Sequence, residues 1–280
     1  MIDLVCGKVK GASLSEAPNQ RKRQQTTMGK VWKWENGRLC ARPSLLDSLQ
    51  IADRVGEVIS VVGAGGKTTT IRRLAEEAVK QKRTVAVTTT TKMKKEPQFV
   101  LTADVEKIQR KWEEEGQVWF GTPGSDREKV TGVTEQILDA VCARHPDLLL
   151  IEADGAKRLP CKVPEAWEPV IYPKSTRVLA VYGLDAVGET FEKVCCRPEL
   201  AAELLKKNIT DQISAQDIAR LAKSRQGGRK NVNKSMGYQV ILNKADTSRK
   251  RWLAEEICRE LEKEGVTEIT VTAEGRQEAT

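Results

Sequence analysis

Val58-Ile59-Ser60-Val61-Val62 runs directly into Gly63-Ala64-Gly65-Gly66-Lys67-Thr68-Thr69-Thr70, and this junction decides how the chain is read. A compact β-branched run that stops at glycine has the form of a buried strand. The segment from Thr68 to Lys82 then carries helical periodicity, with Ile71, Leu74, Ala75 and Ala78 on one stripe. Strand, glycine loop and helix in that order are the context a phosphate-binding loop requires. Glycines let backbone N–H groups turn toward phosphate, and the helix N-terminus adds its positive end. Lys67 then reaches the β- and γ-oxygens, and Thr68 is placed to ligate Mg²⁺. The position five before Gly66 is Val61, so the loop is a shortened form beginning at Gly63.

Outward from this junction the alternation continues. Thr84 to Thr88, Val118 to Gly121, Leu148 to Ile151, Val178 to Tyr182, Tyr238 to Leu242 and Glu268 to Val271 read as strands. Helices are expected over 105–115, 134–144, 198–206, 214–223 and 248–263, and Ser44 can cap a short helix through Gln50. Continuous apolar strands alternating with amphipathic helices specify an α/β fold of the P-loop NTPase kind, a mostly parallel sheet with helices on both faces. Upstream, Val31–Glu35 and Arg38–Arg42 flank Asn36-Gly37, a strong hairpin signal that puts Trp32 and Trp34 on one face, capping a core. The chain thus divides into a flexible leader over 1–28, a β-hairpin over 29–43 and one nucleotide-binding domain over 44–280. Met28 is an alternative start of translation.

Among 280 residues, 47 Lys and Arg against 39 Asp and Glu leave a net charge of +8, with 39% hydrophobic residues. That balance excludes wholesale disorder, collagen and a disulfide scaffold. No apolar run approaches the roughly 18 residues of a membrane span and no cleavable signal opens the chain, so a cytoplasmic protein is expected. The seven cysteines have no framework spacing and form no C-x-x-C pair. His145, the single histidine, precedes Pro146 and reads as a helix end, so a metal held by Cys and His alone is not expected. Basic residues concentrate at Arg21-Lys22-Arg23 and from Lys223 to Lys234 without interleaved aromatics, which disfavours a nucleic-acid partner.

Three further motifs fall at strand ends. Tyr238 to Leu242 leads into Asn243-Lys244-Ala245-Asp246, the N-K-x-D pattern of guanine recognition. An aspartate there accepts from both N1–H and the exocyclic amine of guanine, whereas adenine offers no matching donor pair. Leu148 to Ile151 delivers Glu152 and Asp154, which fall on one side if the strand continues. One would hold Mg²⁺ and the other orient water or a substrate group; Asp154, with Thr68, is the choice for the metal, although for either one alone a carboxylate paired with Lys157 and Arg158 at a loop is nearly as good a reading. Thr88 to Thr91 with Lys92 ends another strand at the same edge, where hydroxyls and an ammonium can meet phosphate.

Together, Val62 to Thr69, Thr88 to Met93, Glu152 to Pro160 with Glu168-Pro169, and Asn243 to Asp246 resemble the YqeC family, accessory proteins of selenium-dependent molybdenum hydroxylases. The resemblance covers about Leu45 to the C-terminus. It implies phosphate binding by Gly63, Ala64, Gly65, Gly66, Lys67, Thr68 and Thr69, and base binding by Asn243, Lys244 and Asp246. It further implies a role in maturing a selenium-containing molybdenum cofactor, with a molybdenum hydroxylase and an anionic pterin as partners. Lys157, Arg158, Lys162 and the loop from Gly227 to Asn231 are the basic groups that would receive such an anion, although Gly227 to Lys234 reads first as a flexible solvated loop. Cys161 lies beside these, and it or the vicinal pair Cys195-Cys196 could handle selenium or sulfur, but a vicinal pair reads first as two small residues filling partial burial, and the thiols stay outside the expected site. The expected activity is Mg²⁺-dependent triphosphate hydrolysis, GTP before ATP, with Lys67, Glu152 and Asp154 as the catalytic set. Two other readings stand beside it: an ATP-dependent Mur-like ligase or ATPase, since such ligases share the short G-x-x-G-K-T loop, and a basic nucleic-acid-binding regulator.

Overall fold

The computed structural model describes residues 29–274; the expected leader lies outside the described residues. In chain order come β1 Val31–Glu35, β2 Arg38–Arg42, α1 Leu45–Ser48, β3 Glu57–Gly63, α2 Lys67–Lys80 and β4 Val85–Thr89. There follow β5 Lys92–Lys94, β6 Phe99–Leu101, α3 Val105–Glu115, β7 Gln117–Pro123, β8 Lys129–Thr131, α4 Glu135–Cys142 and β9 Leu148–Glu152. The last part holds β10 Cys161–Lys162, β11 Arg177–Gly183, α5 Phe191–Val194, β12 Cys195–Cys196, α6 Pro198–Leu205, α7 Ala215–Lys223, β13 Gly237–Asn243, α8 Ser248–Lys263 and β14 Ile269–Thr272.

The main sheet runs β2-β1-β14-β13-β11-β3-β9-β4-β7-β8-β5, with β6 also on β7. From β14 to β7 every pairing is parallel, and the two ends are antiparallel. The expected hairpin forms one end, its β1 pairing Trp32 with Val271 of β14. Trp34 is buried in the core and Trp32 packs against it. At the other end β8 and β5 make a short flap beyond β7.

Successive residues of each central strand face opposite layers, as the strand period demands. Ile59, Val61, Leu148, Leu150, Leu179 and Val181 pack under α1 and α2. Val58, Leu149 and Ile151 pack with Ile108 and Trp112 of α3 and Leu138 and Val141 of α4. On that same face Val62, Val178, Ala180, Val240 and Leu242 meet α6, α7 and α8. The sheet is therefore covered on both sides, which is why its strands are apolar throughout. Because the central strands are parallel, their C-terminal ends, Gly63, Thr89, Glu152, Gly183 and Asn243, share one edge.

Candidate functional site

The glycine loop threads between the ends of β11 and β13 and is shaped by that confinement. Gly65 and Gly66 have φ of +79° and +137°, which favour glycine, and a Cβ would lie 2.3 Å from the Gly183 amide nitrogen in one case and 2.0 Å from Asn243 Nδ2 in the other. Three hydrogen bonds pin the loop: Ala64 N–H to Val181 O at 2.8 Å, Gly65 N–H to Leu159 O at 3.0 Å and Asn243 Nδ2 to Gly65 O at 3.1 Å. Gly66 caps α2 without a side chain, so no side chain competes for the donors of its first turn, from Lys67, Thr68 and Thr69.

Beneath this loop lies a buried chain of charges. Lys67 Nζ donates to Gly63 O at 2.7 Å and lies 3.0 Å from Asp154 Oδ1. Asp154 Oδ2 accepts from the Gly63 amide at 3.1 Å and faces Lys162 Nζ at 3.2 Å. Lys162 bridges onward to Glu168 at 2.8 Å, and Arg197 pairs with Glu168 at 3.0 Å and with Glu165 at 2.7 Å. Burial alone would lower the Lys67 ammonium, but the carboxylates of Asp154 and Glu152 outweigh it and hold the pKa above the usual lysine value. Burial likewise pushes Glu168 up, and the hydrogen bond from Lys162 with the charges of Lys162 and Arg197 brings it below the ordinary glutamate value. For Glu152 burial prevails, and its pKa is raised despite Lys67 and the Thr68 hydroxyl, which donates to Glu152 Oε2 at 2.9 Å.

A cleft of about 920 Å³ opens over the loop, bringing Gly65 to Thr69 together with Glu152, Lys92, Lys157, Arg158 and Lys244. Of the two strand-end carboxylates it is Glu152 that meets Thr68. Asp154, expected at the metal, is 1% exposed and held between two lysines. The physical reason is that β9 ends at Glu152, so alternation along a strand no longer governs Asp154. Three of the four threonine hydroxyls expected near phosphate are turned to the backbone, Thr88 to Phe120 O, Thr89 to Glu152 O and Thr90 to Val170 O, and that of Thr91 lies 3.4 Å from the Thr89 hydroxyl. Lys162, expected to receive an anion, is buried in its carboxylate pairs. In the basic loop, Lys230 donates to the carbonyls of Glu165 and Ala166, Asn231 donates to Pro169 O, and Arg229 stacks on Tyr238 at 4.4 Å.

At the base motif, Asn243 Oδ1 accepts from the Lys244 amide at 2.8 Å and the Thr272 hydroxyl at 2.9 Å. Lys244 Nζ pairs with Asp185 at 2.6 Å, and Asp246 Oδ1 accepts from the Glu274 amide at 2.8 Å. Asp185 and Arg197 are contacts of the site that pattern reading overlooked, and Glu168, named only through the family resemblance, is given its role by Lys162 and Arg197. Nothing in their spacing announces them, because the pairing of β10 with β12 is what delivers Arg197. That pairing also sets Cys161 opposite Cys195; a hydrogen bond with Cys195 and burial push the Cys161 thiol well above its ordinary range, which keeps it protonated. Cys196 lines the cleft beside Arg197. Among the described residues no helix is long and apolar enough to cross a membrane.

The YqeC protein family model matches residues 59–199, a span that takes in the glycine loop, both strand-end carboxylates and the whole buried charge chain. The chain is also similar to "Uncharacterized protein YqeC" of Escherichia coli (strain K12), at 30% identity over 204 residues, 67% of this chain and 75% of that one. A match of that extent, centred on the residues that build the cleft, places the chain in the YqeC family.

Proposed function

We propose that the protein binds a purine nucleoside triphosphate with Mg²⁺, GTP ahead of ATP, and hydrolyses it while serving the maturation of a selenium-containing molybdenum cofactor on its hydroxylase. The observation that carries the nucleotide reading is the meeting of the Thr68 hydroxyl with Glu152 at the uncapped start of α2, one residue from Lys67. The pathway rests on the family resemblance, with an anionic pterin as the cofactor class it implies.

The residues present fit Mg²⁺. Among the described residues no three His, Cys, Asp or Glu side chains gather to hold a metal by themselves. A nucleotide site needs only one or two protein oxygens, since phosphates and water complete the shell. Thr68 and Glu152 would hold the ion, which would supply charge neutralisation to the phosphates. In hydrolysis the oxygen of water attacks the γ-phosphorus as the bond to the β-phosphate oxygen breaks. The electron pair leaves on the diphosphate and the water proton ends on the released phosphate. Lys67 and the amides of the first turn neutralise the charge that develops. Lys67 can turn from Asp154 to phosphate without stranding the carboxylate, because Asp154 keeps Lys162 and the Gly63 amide.

The test is equilibrium binding of Mg²⁺-GTP and Mg²⁺-ATP to the full chain beside Lys67→Ala and Asp246→Ala. Tighter GTP binding, weakened throughout by Lys67→Ala and levelled by Asp246→Ala, supports the reading. A second reading, ATP as the nucleotide, is favoured by one feature: Lys244 and Glu274 line the cleft and Asp246 does not. Equal or tighter binding of ATP would give it precedence.

A further inference from the structure

The turn at Lys157 and Arg158 carries two cations for which the fold itself has no use. Both residues take left-handed backbone, with φ of +49° and +62°, at successive positions where side-chain-bearing residues are disfavoured. Both are exposed, and among the described residues neither forms an ion pair or a side-chain hydrogen bond. Other cations of the same cleft are matched: Arg72 with Glu96, Lys129 with Asp126, Arg197 with Glu165 and Glu168, and Lys244 with Asp185.

The turn is firmly placed. Leu159 N–H closes it onto Ala156 O at 2.9 Å, Leu159 O accepts from Gly65 of the glycine loop at 3.0 Å, and Pro160 O accepts from Gly183 at 3.0 Å. The segment that displays the cations is thus fastened to the backbone that would cradle phosphate, just past Glu152 and Asp154. Among the described residues Lys92 and Lys94 form no ion pair either, but they stand on an ordinary strand of the flap with no bond to the glycine loop. Disfavoured backbone retained at exposed, unpaired residues points to a ligand for them.

We propose that Arg158, with Lys157 beside it, is a built-in cation for the terminal phosphate. Its planar fork contacts the γ-phosphoryl oxygens and stabilises their charge as the bond to the β-phosphate oxygen breaks and water adds. This rests on the nucleotide reading above and supplies the catalytic arginine in cis.

Single-turnover hydrolysis of Mg²⁺-GTP and Mg²⁺-ATP by the full chain, with Arg158→Ala, Arg158→Lys and Lys67→Ala, tests it. A second readout, independent of turnover, is retention of Mg²⁺-GDP or Mg²⁺-ADP with fluoroaluminate, which mimics the phosphoryl group in transfer. Arg158→Ala is expected to slow hydrolysis by about 100-fold or more, and to abolish fluoroaluminate-dependent retention, with diphosphate affinity within about threefold of the parent. Arg158→Lys recovers only part, because an ammonium lacks the fork. Unchanged hydrolysis and fluoroaluminate retention in Arg158→Ala, alongside weakened nucleotide binding in Lys67→Ala, would overturn this inference alone. Nucleotide binding indifferent to Lys67→Ala, or absent from the parent protein, would overturn the nucleotide reading and this inference with it.

Discussion

The two ends of the cleft are built on the same row of strand ends and hold their groups by opposite means. At the phosphate end Lys67, Asp154, Lys162, Glu168 and Arg197 alternate in sign, and the Asp154–Lys162 contact joins side chains only 2% and 1% exposed. At the base end the Lys244–Asp185 pair is 26% and 37% exposed, and Asn243 is fixed by neutral hydrogen bonds. A buried ion that loses its partner keeps its desolvation penalty, whereas an exposed one is rescued by water. On the nucleotide reading proposed above, the phosphate end would carry stability and function in the same atoms, and the base end would be free to change specificity with little effect on the fold.

Lys162→Met should show the difference most plainly. It takes the shared cation from two buried carboxylates at once, leaving Asp154 to Lys67 and the Gly63 amide and Glu168 to Arg197, and removing one partner from a buried pair costs about 3–5 kcal/mol, read by denaturant unfolding. Adding Glu168→Gln should restore part of that loss. Lys244→Ala, at the exposed pair, should cost no more than about 1 kcal/mol; equal losses in the two variants would break the comparison. Lys67→Ala comes next, with triphosphate affinity down by about 100-fold, near 2.8 kcal/mol. It should unfold later than Lys162→Met, because Lys67 makes a direct contact with one buried carboxylate, Asp154, whereas Lys162 bridges two, Asp154 and Glu168.

The same contrast explains what pattern reading reaches. Val58 to Val62 and Leu148 to Ile151 are legible as strands because a doubly covered sheet needs apolar residues at every position, and the helix of 105–115 is found at its full span. The glycine loop is legible because strand, turn and helix lie in one stretch of chain. The buried chain of charges is not. Asp154 was expected to alternate with Glu152 along one strand, but β9 stops at Glu152 and the backbone turns Asp154 inward. Arg197 reaches Glu168 through β10 and β12, two-residue strands too short to carry any period, so Lys162 looks from sequence like a free surface cation. The flap of β5 and β8 escapes for the same reason.

Asp246→Ala sharpens the base end. With its Oδ1 on the Glu274 amide the carboxylate keeps lone pairs for a base, since each oxygen accepts twice. Loss of the group should cut GTP affinity by about tenfold, near 1.4 kcal/mol, with ATP affinity unaltered. A uniform loss for both nucleotides would mean that Asp246 only holds the backbone at Glu274, and the base end would then be structural like its counterpart.

The smallest effect is expected at Glu152, and its sign is the informative part. Burial raises the Glu152 pKa above the ordinary glutamate value. A folded-state pKa above the unfolded one means a contribution to stability that is whole below the unfolded value and lost as pH rises through the folded one. Above the unfolded value the parent protein therefore carries this buried carboxyl group at a net penalty. Glu152→Gln removes that penalty, and its amide oxygen can still accept from the Thr68 hydroxyl. In metal-free protein the variant should melt at or above the parent at pH 8, by about 2–4 °C for each kcal/mol relieved, and the gap should close toward acid pH as the parent takes up its proton. Clear destabilisation at pH 8 would mean that the attraction of Lys67 outweighs burial. Glu152 would then be one more link in the buried chain rather than a carboxylate held in readiness for a cation.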